Sequence, residues 1–331
     1  MIDKTYFQSN PVIYYRDFLL ALAAFVIGFV WCMHAEGPVI VIPWVMAVVG
    51  IHRGGIFMHE LCHRPKDPKL KLFSLLWHGT VGAVIQLPRG RFKPPHDTHH
   101  ANGTFRTAKD PQYLLVRSNP GLMAILLVVM PFVMPLLTLL QIFTASLGGL
   151  FIEEAIERAA QKKGHSLTTF LEGEGKVNVI QASRYTLVCL IAYAILLPET
   201  IPLYYSILVG AWFLTVARIP LEHELEYHAE GSGPRDQVID SFTVETPLAV
   251  LCQPIGFRYH TAHHMYPGVP YHNLPALNEE LKRTNPEYRQ SVISLWAAIR
   301  GPRHPNRRPE GQGVDGAAPD TTAEGTEAIA S

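Results

Sequence analysis

The sequence predicts an all-α integral membrane protein, with four or more transmembrane helices and a cytoplasmic cap that carries clustered histidines. Three observations predict it. Apolar residues gather into long blocks almost free of charge, each near the length that crosses a bilayer. Lysine and arginine avoid two of the breaks between those blocks and crowd the others. Of the 16 histidines, most stand in groups rather than singly.

Taken in chain order, residues 18–33 are apolar throughout, "HAEGP" interrupts, and 39–57 is apolar again, which predicts a helical hairpin. No small-residue cleavage site follows the first run, so it is expected to stay as an anchor. A shorter run, 72–87, holds His78 and Gly79 and is expected at the interface or buried in protein. Residues 122–150 contain no charge and have Pro131 and Pro135 in their middle. Runs 185–197 and 203–217 form a second pair split by "PETIP". Neither "HAEGP" nor "PETIP" contains Lys or Arg, whereas segments 58–120, 152–184 and 218–300 contain many, which places those three in the cytoplasm. Both ends of 122–150 then face the cytoplasm, so this run is expected to turn back at its prolines or to lie on the surface. A single crossing there, with one bent crossing over 185–217, keeps the same parity. Residues 1–300 thus form one membrane-embedded domain. The Gly-, Pro-, Ala- and Thr-rich tail, 301–331, is expected to be disordered.

Composition removes some function classes. A formal net charge of zero gives no reason to expect a nucleic-acid partner. The cysteines Cys32, Cys62, Cys189 and Cys252 form no C-x-x-C pair, which argues against a thiolate metal site or a disulfide framework.

The histidines carry the chemistry. His59 and His63 stand in "HELCH", His96, His99 and His100 in "KPPHDTHHANGT", and His260, His263 and His264 in "RYHTAHHMYP". On a helix, positions i, i+3 and i+4 share a face, so each cluster is expected to aim its rings at one point. Zinc takes four ligands, and eight imidazoles suit two metal ions instead. Imidazole serves Fe, Zn, Cu or Ni, so the donor type leaves the metal open. His59-Glu60-x-x-His63 also reads as a membrane zinc metalloprotease signature, with Glu60 as base. That alternative needs a further ligand, and none of the Asn-Pro dipeptides leads into an Asp. It also leaves two clusters unused. A transporter would place ionisable residues inside its spans, and these spans hold almost none.

The succession H-x3-H, H-x2-H-H, H-x2-H-H between apolar helices resembles the fatty acid desaturase family of membrane di-iron enzymes. "HHMYPGVPYHNLP" after the third cluster and "HHANGTFRTAKDPQY" at the second are similar to that family's continuations. The resemblance covers about residues 18–285 and implies a further ligand between the second and third clusters. His223 in "RIPLEHELEYHAEG" is the candidate, with His228, five residues on, as its competitor. The implied metal ligands are His59, His63, His96, His99, His100, His223, His260, His263 and His264. Glu60, Asp97, Asp110 and Glu222 are candidate carboxylates for orienting imidazole N–H groups, and His52, seven residues before His59, is a weaker candidate for the same shell. His34, His78, His165, His272 and His304 are expected to be ordinary. The resemblance further implies two non-haem Fe with O2 as co-substrate, acting on an aliphatic, fatty acyl lipid chain from the bilayer. Removal of two hydrogens gives desaturation; a hydroxylase or related oxygenase uses the same scaffold. The chain carries no haem or flavin fingerprint, so a ferredoxin or a cytochrome b5 with its reductase is the implied electron donor.

Overall fold

The computed structural model describes residues 2–107, 109–110, 120–162, 173–223 and 232–300. The tail 301–331 and His165, His228 and His304 lie outside the described residues. Helix α1 (Pro11–Cys32) starts where the Asn10 side chain accepts from the Val12 amide and Pro11 occupies the first turn. It packs antiparallel on α2 (Val41–His63) through small residues. A Cβ added at Gly50 would lie 2.5 Å from the Phe25 nitrogen and 2.8 Å from the Ala21 carbonyl oxygen, and one at Gly28 would lie 2.6 Å from the Pro43 carbonyl oxygen. Neither backbone can give way locally. Gly50→Val is therefore expected to lower stability by about 1–3 kcal/mol, the usual cost of overpacking. Thermal unfolding of the purified protein in detergent checks this, and an unchanged midpoint would rule it out.

Short α3 (Lys71–Trp77) runs into a π-helical turn, His78–Gly82, and α4 (Arg89–His100) follows. Phe73, Trp77 and Val81 are buried, while Leu72 and Leu75 are exposed, so the third apolar run is buried on one side and outward-facing on the other. Its anchor is Trp77, whose indole N–H donates to the Gly54 carbonyl at 2.8 Å.

The expectation that 122–150 turns back is corrected. Helix α5 (Pro120–Ser146) is continuous through Pro131 and Pro135. Each proline removes one backbone donor, and hydroxyl groups bond to carbonyls in the turns beside them. The Tyr205 hydroxyl donates to the Phe132 carbonyl at 2.9 Å, and the Thr138 hydroxyl lies 3.0 and 3.1 Å from the Met134 and Pro135 carbonyls. Next come α6 (Phe151–Gln161), α7 (Gly173–Leu196) and α8 (Ile201–Arg218), so the run 185–217 is two helices and not one bent crossing.

Among the described residues, five helical stretches are long and apolar enough to cross a membrane: Pro11–Cys32, Gly37–His63, Ala124–Ser146, Gly175–Leu196 and Pro198–Leu221. Leu20, Ile27, Val128, Phe132, Val188 and Ile195 point outward from them, as hydrocarbon allows. This is an all-α, multi-pass integral membrane protein. The Trp44 indole donates to the Ser206 hydroxyl at 3.0 Å, so the two breaks without Lys or Arg sit at the same end. His59 and His63 close the opposite end of α2.

A cap of short helices covers that end: α9 (Pro234–Ile239), α10 (Ala249–Cys252), α11 (His260–Met265), α12 (Leu274–Thr284), α13 (Pro286–Gln290) and α14 (Leu295–Ile299). Its small parallel pairing joins β1 (Thr243–Val244) to β2 (Val292–Ile293). His52 ties cap to span. Its Nε2 is 3.1 Å from the Cys252 carbonyl and its Nδ1 3.3 Å from the Thr215 hydroxyl, so it orients no clustered histidine.

Candidate metal centre

All nine candidate histidines converge, but not cluster by cluster. His59, His63, His96, His100 and His263 form one group, and His99, His223, His260 and His264 form another, with the ligand atoms of each group within 4.8 Å of one another. The expectation that each cluster serves one point is corrected. Helical geometry gives the reason. Residues four apart lie about 40° apart around the axis, and a third residue falls about 60° to the other side. Thus α4 sends His96 and His100 one way and His99 the other, while α11 sends His260 and His264 one way and His263 the other. Two short helices thereby build two adjacent sites.

Nitrogens face nitrogens throughout. His63 Nε2 is 2.9 Å from His96 Nε2, and His100 Nε2 is 3.2 Å from His263 Nε2. In the second group His99 and His223 approach to 3.1 Å, His223 and His260 to 2.8 Å, and His260 and His264 to 3.1 Å, all through Nε2. Outer partners fix the tautomers. His99 Nδ1–H donates to the Asp110 carboxylate at 2.9 Å, and His264 Nδ1–H donates to the Gln237 side-chain carbonyl at 2.9 Å. Both Nε2 atoms therefore present lone pairs to the group centre. His59 Nε2 is buried with no hydrogen-bond partner. Converging lone pairs and a buried partnerless ring nitrogen are what a cation resolves, and the donor set fits two ions of a metal that accepts imidazole.

Burial, then the neighbouring rings and cationic side chains, holds the imidazoles of His96, His100, His223, His260, His263 and His264 well below the ordinary histidine range. They are neutral donors at pH 7. Aromatic walls keep the groups dry. The Phe257 ring centroid lies 4.3 Å from His59 and 5.7 Å from His260, and Phe105 lies 5.1 to 5.6 Å from His99, His223 and His264.

The candidate carboxylates divide. Asp110 meets His99. Glu222 is bidentate on Arg218 at 2.7 and 2.8 Å and stands 4.0 Å from His260 Nε2, beyond hydrogen-bond reach. Two candidates are corrected. Glu60 accepts from the Tyr14 hydroxyl at 2.5 Å and the Tyr271 amide at 3.2 Å, and Arg64 lies 3.8 Å away. These partners turn it away from the rings and from any role as a base beside His59 and His63. Asp97 pairs with Lys93 one helical turn back, at 2.5 Å near the surface.

Sequence reasoning missed Gln237. Its Nε2 donates to the His100 carbonyl and to Asn102 Oδ1, both at 2.9 Å, which fixes the amide that receives His264. No histidine lies near it in "GPRDQVID", so local pattern gave no signal. Gln237→Leu is expected to weaken metal binding about 10- to 100-fold, the usual cost of an outer partner. Competition with a chelator measures it, and wild-type affinity would refute the role.

Comparison with known proteins now bears on this geometry. The family model described as fatty acid desaturase matches residues 37–296. The chain belongs to the fatty acid desaturase family. A ceramide hydroxylase from Caulobacter vibrioides (strain NA1000 / CB15N) is 26% identical over 311 residues, covering 88% of each chain. A desaturase-family chain with this similarity is an oxidoreductase of the desaturase and hydroxylase type. Membership also sets the zinc-protease alternative aside, in agreement with the position of Glu60.

Proposed function

We propose that this chain is an O2-dependent di-iron enzyme that desaturates an aliphatic chain of a membrane lipid, with fatty acyl groups as the substrate class. The convergence of nine imidazoles into adjoining groups of five and four carries this reading. Each group holds one iron, and the bound irons supply O2 activation at a C–H bond. The protein's part is to fix the ring tautomers through Asp110 and Gln237, to exclude water with Phe105 and Phe257, and to hold the substrate carbon. An apolar cavity of about 470 Å3 between the π-helical turn and α7, lined by Leu75, Leu76, Gly79, Pro88 and Tyr185, supports an apolar substrate arriving from the bilayer. The Lys- and Arg-rich segments support a cytoplasmic cap. There a ferredoxin or a cytochrome b5, with its reductase, delivers two electrons.

Hydroxylation is the second reading, favoured by the similarity to the ceramide hydroxylase. The two outcomes share the metal centre and differ in how closely the substrate carbon is held. Mass spectrometry of lipids from a host expressing the chain tests both, with His263→Ala as control. New species lighter by two hydrogens, absent in the control, support desaturation. Species heavier by one oxygen overturn it in favour of hydroxylation. Changes that persist in the control refute a role for the histidine groups.

A further inference from the structure

Arg106 is fully buried, and its guanidinium pairs with Asp240, which is equally buried. Its backbone φ is +57°, a left-handed conformation that residues other than glycine rarely adopt. A buried ion pair carries a desolvation cost, and a left-handed arginine carries a conformational one. Both fall on one residue. What this residue touches gives the reason.

The Arg106 amide donates to Asp110 Oδ2 at 2.8 Å, and the same oxygen accepts from His99 Nδ1 at 2.9 Å. On the other side, Asp240 leads directly into Ser241 and Phe242, which pair with the backbone at His223. Ser241 forms an isolated antiparallel bridge with His223, and the Phe242 amide donates to the Glu222 carbonyl at 2.8 Å. Arg106 therefore grips both supports at once, by its main chain and by its side chain. His99 and His223, 124 residues apart in sequence, face each other at 3.1 Å between those supports.

We propose that Arg106 is a positioning residue that sets the spacing of His99 and His223 in the four-histidine group, through Asp110 on one side and Asp240 on the other. This rests on the reading that the group holds a metal ion. A left-handed glycine would keep the amide contact and lose the second grip, which is why arginine serves here. Both arms end on members of the four-histidine group, so the effect is expected at that site.

The test compares wild type, Asp240→Asn and Arg106→Lys as full-length protein in detergent. Iron per chain is measured after equilibration with ferrous ion and a competing chelator, alongside unfolding of the metal-free protein. Asp240→Asn keeps the side-chain volume but leaves the Arg106 charge buried without its counter-charge, so it is expected to lower the metal-free midpoint, whereas Arg106→Lys keeps the charge pair and changes its geometry. The expected result is at least a tenfold loss of affinity at one iron of the pair, the other unchanged, in both variants, with the metal-free midpoint of Arg106→Lys near wild type and a changed Fe absorption spectrum. Wild-type affinity and spectrum in both variants would overturn the proposal. So would a parallel loss of both irons with a lowered metal-free midpoint, because that marks a merely structural role. Wild type that binds no iron would refute the metal reading itself, which separates that failure from the failure of Arg106.

Discussion

His260→Ala is expected to abolish lipid oxidation and to empty the four-histidine group of metal, whereas His63→Ala abolishes oxidation but keeps more of its metal. The difference follows from the count of donors. Loss of His260 leaves His99, His223 and His264, and His260 stands between His223 and His264 at 2.8 and 3.1 Å. Loss of His63 leaves four imidazoles, among them His59 with its buried, partnerless Nε2. Both variants should lose activity by more than the 10- to 100-fold that an outer partner costs. Iron content and product formation, measured on the same preparations, check this. His52→Ala is the matched control. It removes a buried histidine whose partners are the Cys252 carbonyl and Thr215, so it should keep its iron while losing stability, by about 1–3 kcal/mol for a partner left unsatisfied together with the cost of the cavity. Loss of iron in His52→Ala, or full activity in His260→Ala, would contradict the grouping.

The membrane architecture was legible because hydrocarbon imposes a strong pattern. A long uncharged run has few other uses, and the absence of Lys and Arg from both breaks matched their placement at one end. The path of 122–150 was not legible. Its prolines carry a breaker signal in sequence, and one hydroxyl bonded to the backbone beside them comes from Tyr205, on a distant helix. The histidines were legible as a set because their density has no ordinary explanation. Their division into five and four was not, since it depends on the direction of each helix and on the partner it meets. The outer partners were least legible. Asp110 lies beside a cluster and Glu60 lies inside one, yet only Asp110 turns toward a ring. Gln237 sits far from every cluster in sequence and meets two of them in space. Periodicity reports which face a side chain is on; it does not report what the tertiary fold places opposite.

The metal-free protein is expected to lose stability steeply as pH falls below about 6.5, the ordinary histidine value. Six imidazoles, those of His96, His100, His223, His260, His263 and His264, are held well below that value in the folded state, first by burial. The unfolded chain therefore binds more protons than the folded one once pH drops through about 6.5, and stability must decrease with falling pH. Each such group contributes up to about 1.4 kcal/mol per pH unit. Several together are large beside the roughly 5–15 kcal/mol that holds a typical domain. Glu222 works in the opposite sense. Burial pushes its carboxyl up to about 7 against the pull of Arg218, so the folded state takes up a proton there before the unfolded chain does. One proton gained does not offset six refused. Bound metal adds a further barrier, because protons must displace it from the same nitrogens, so the loaded protein should begin to unfold at lower pH than the metal-free form. Thermal unfolding in detergent between pH 8 and pH 5, with and without ferrous ion, measures both effects. A flat metal-free profile over that range would mean that the imidazoles are not buried as a neutral cluster.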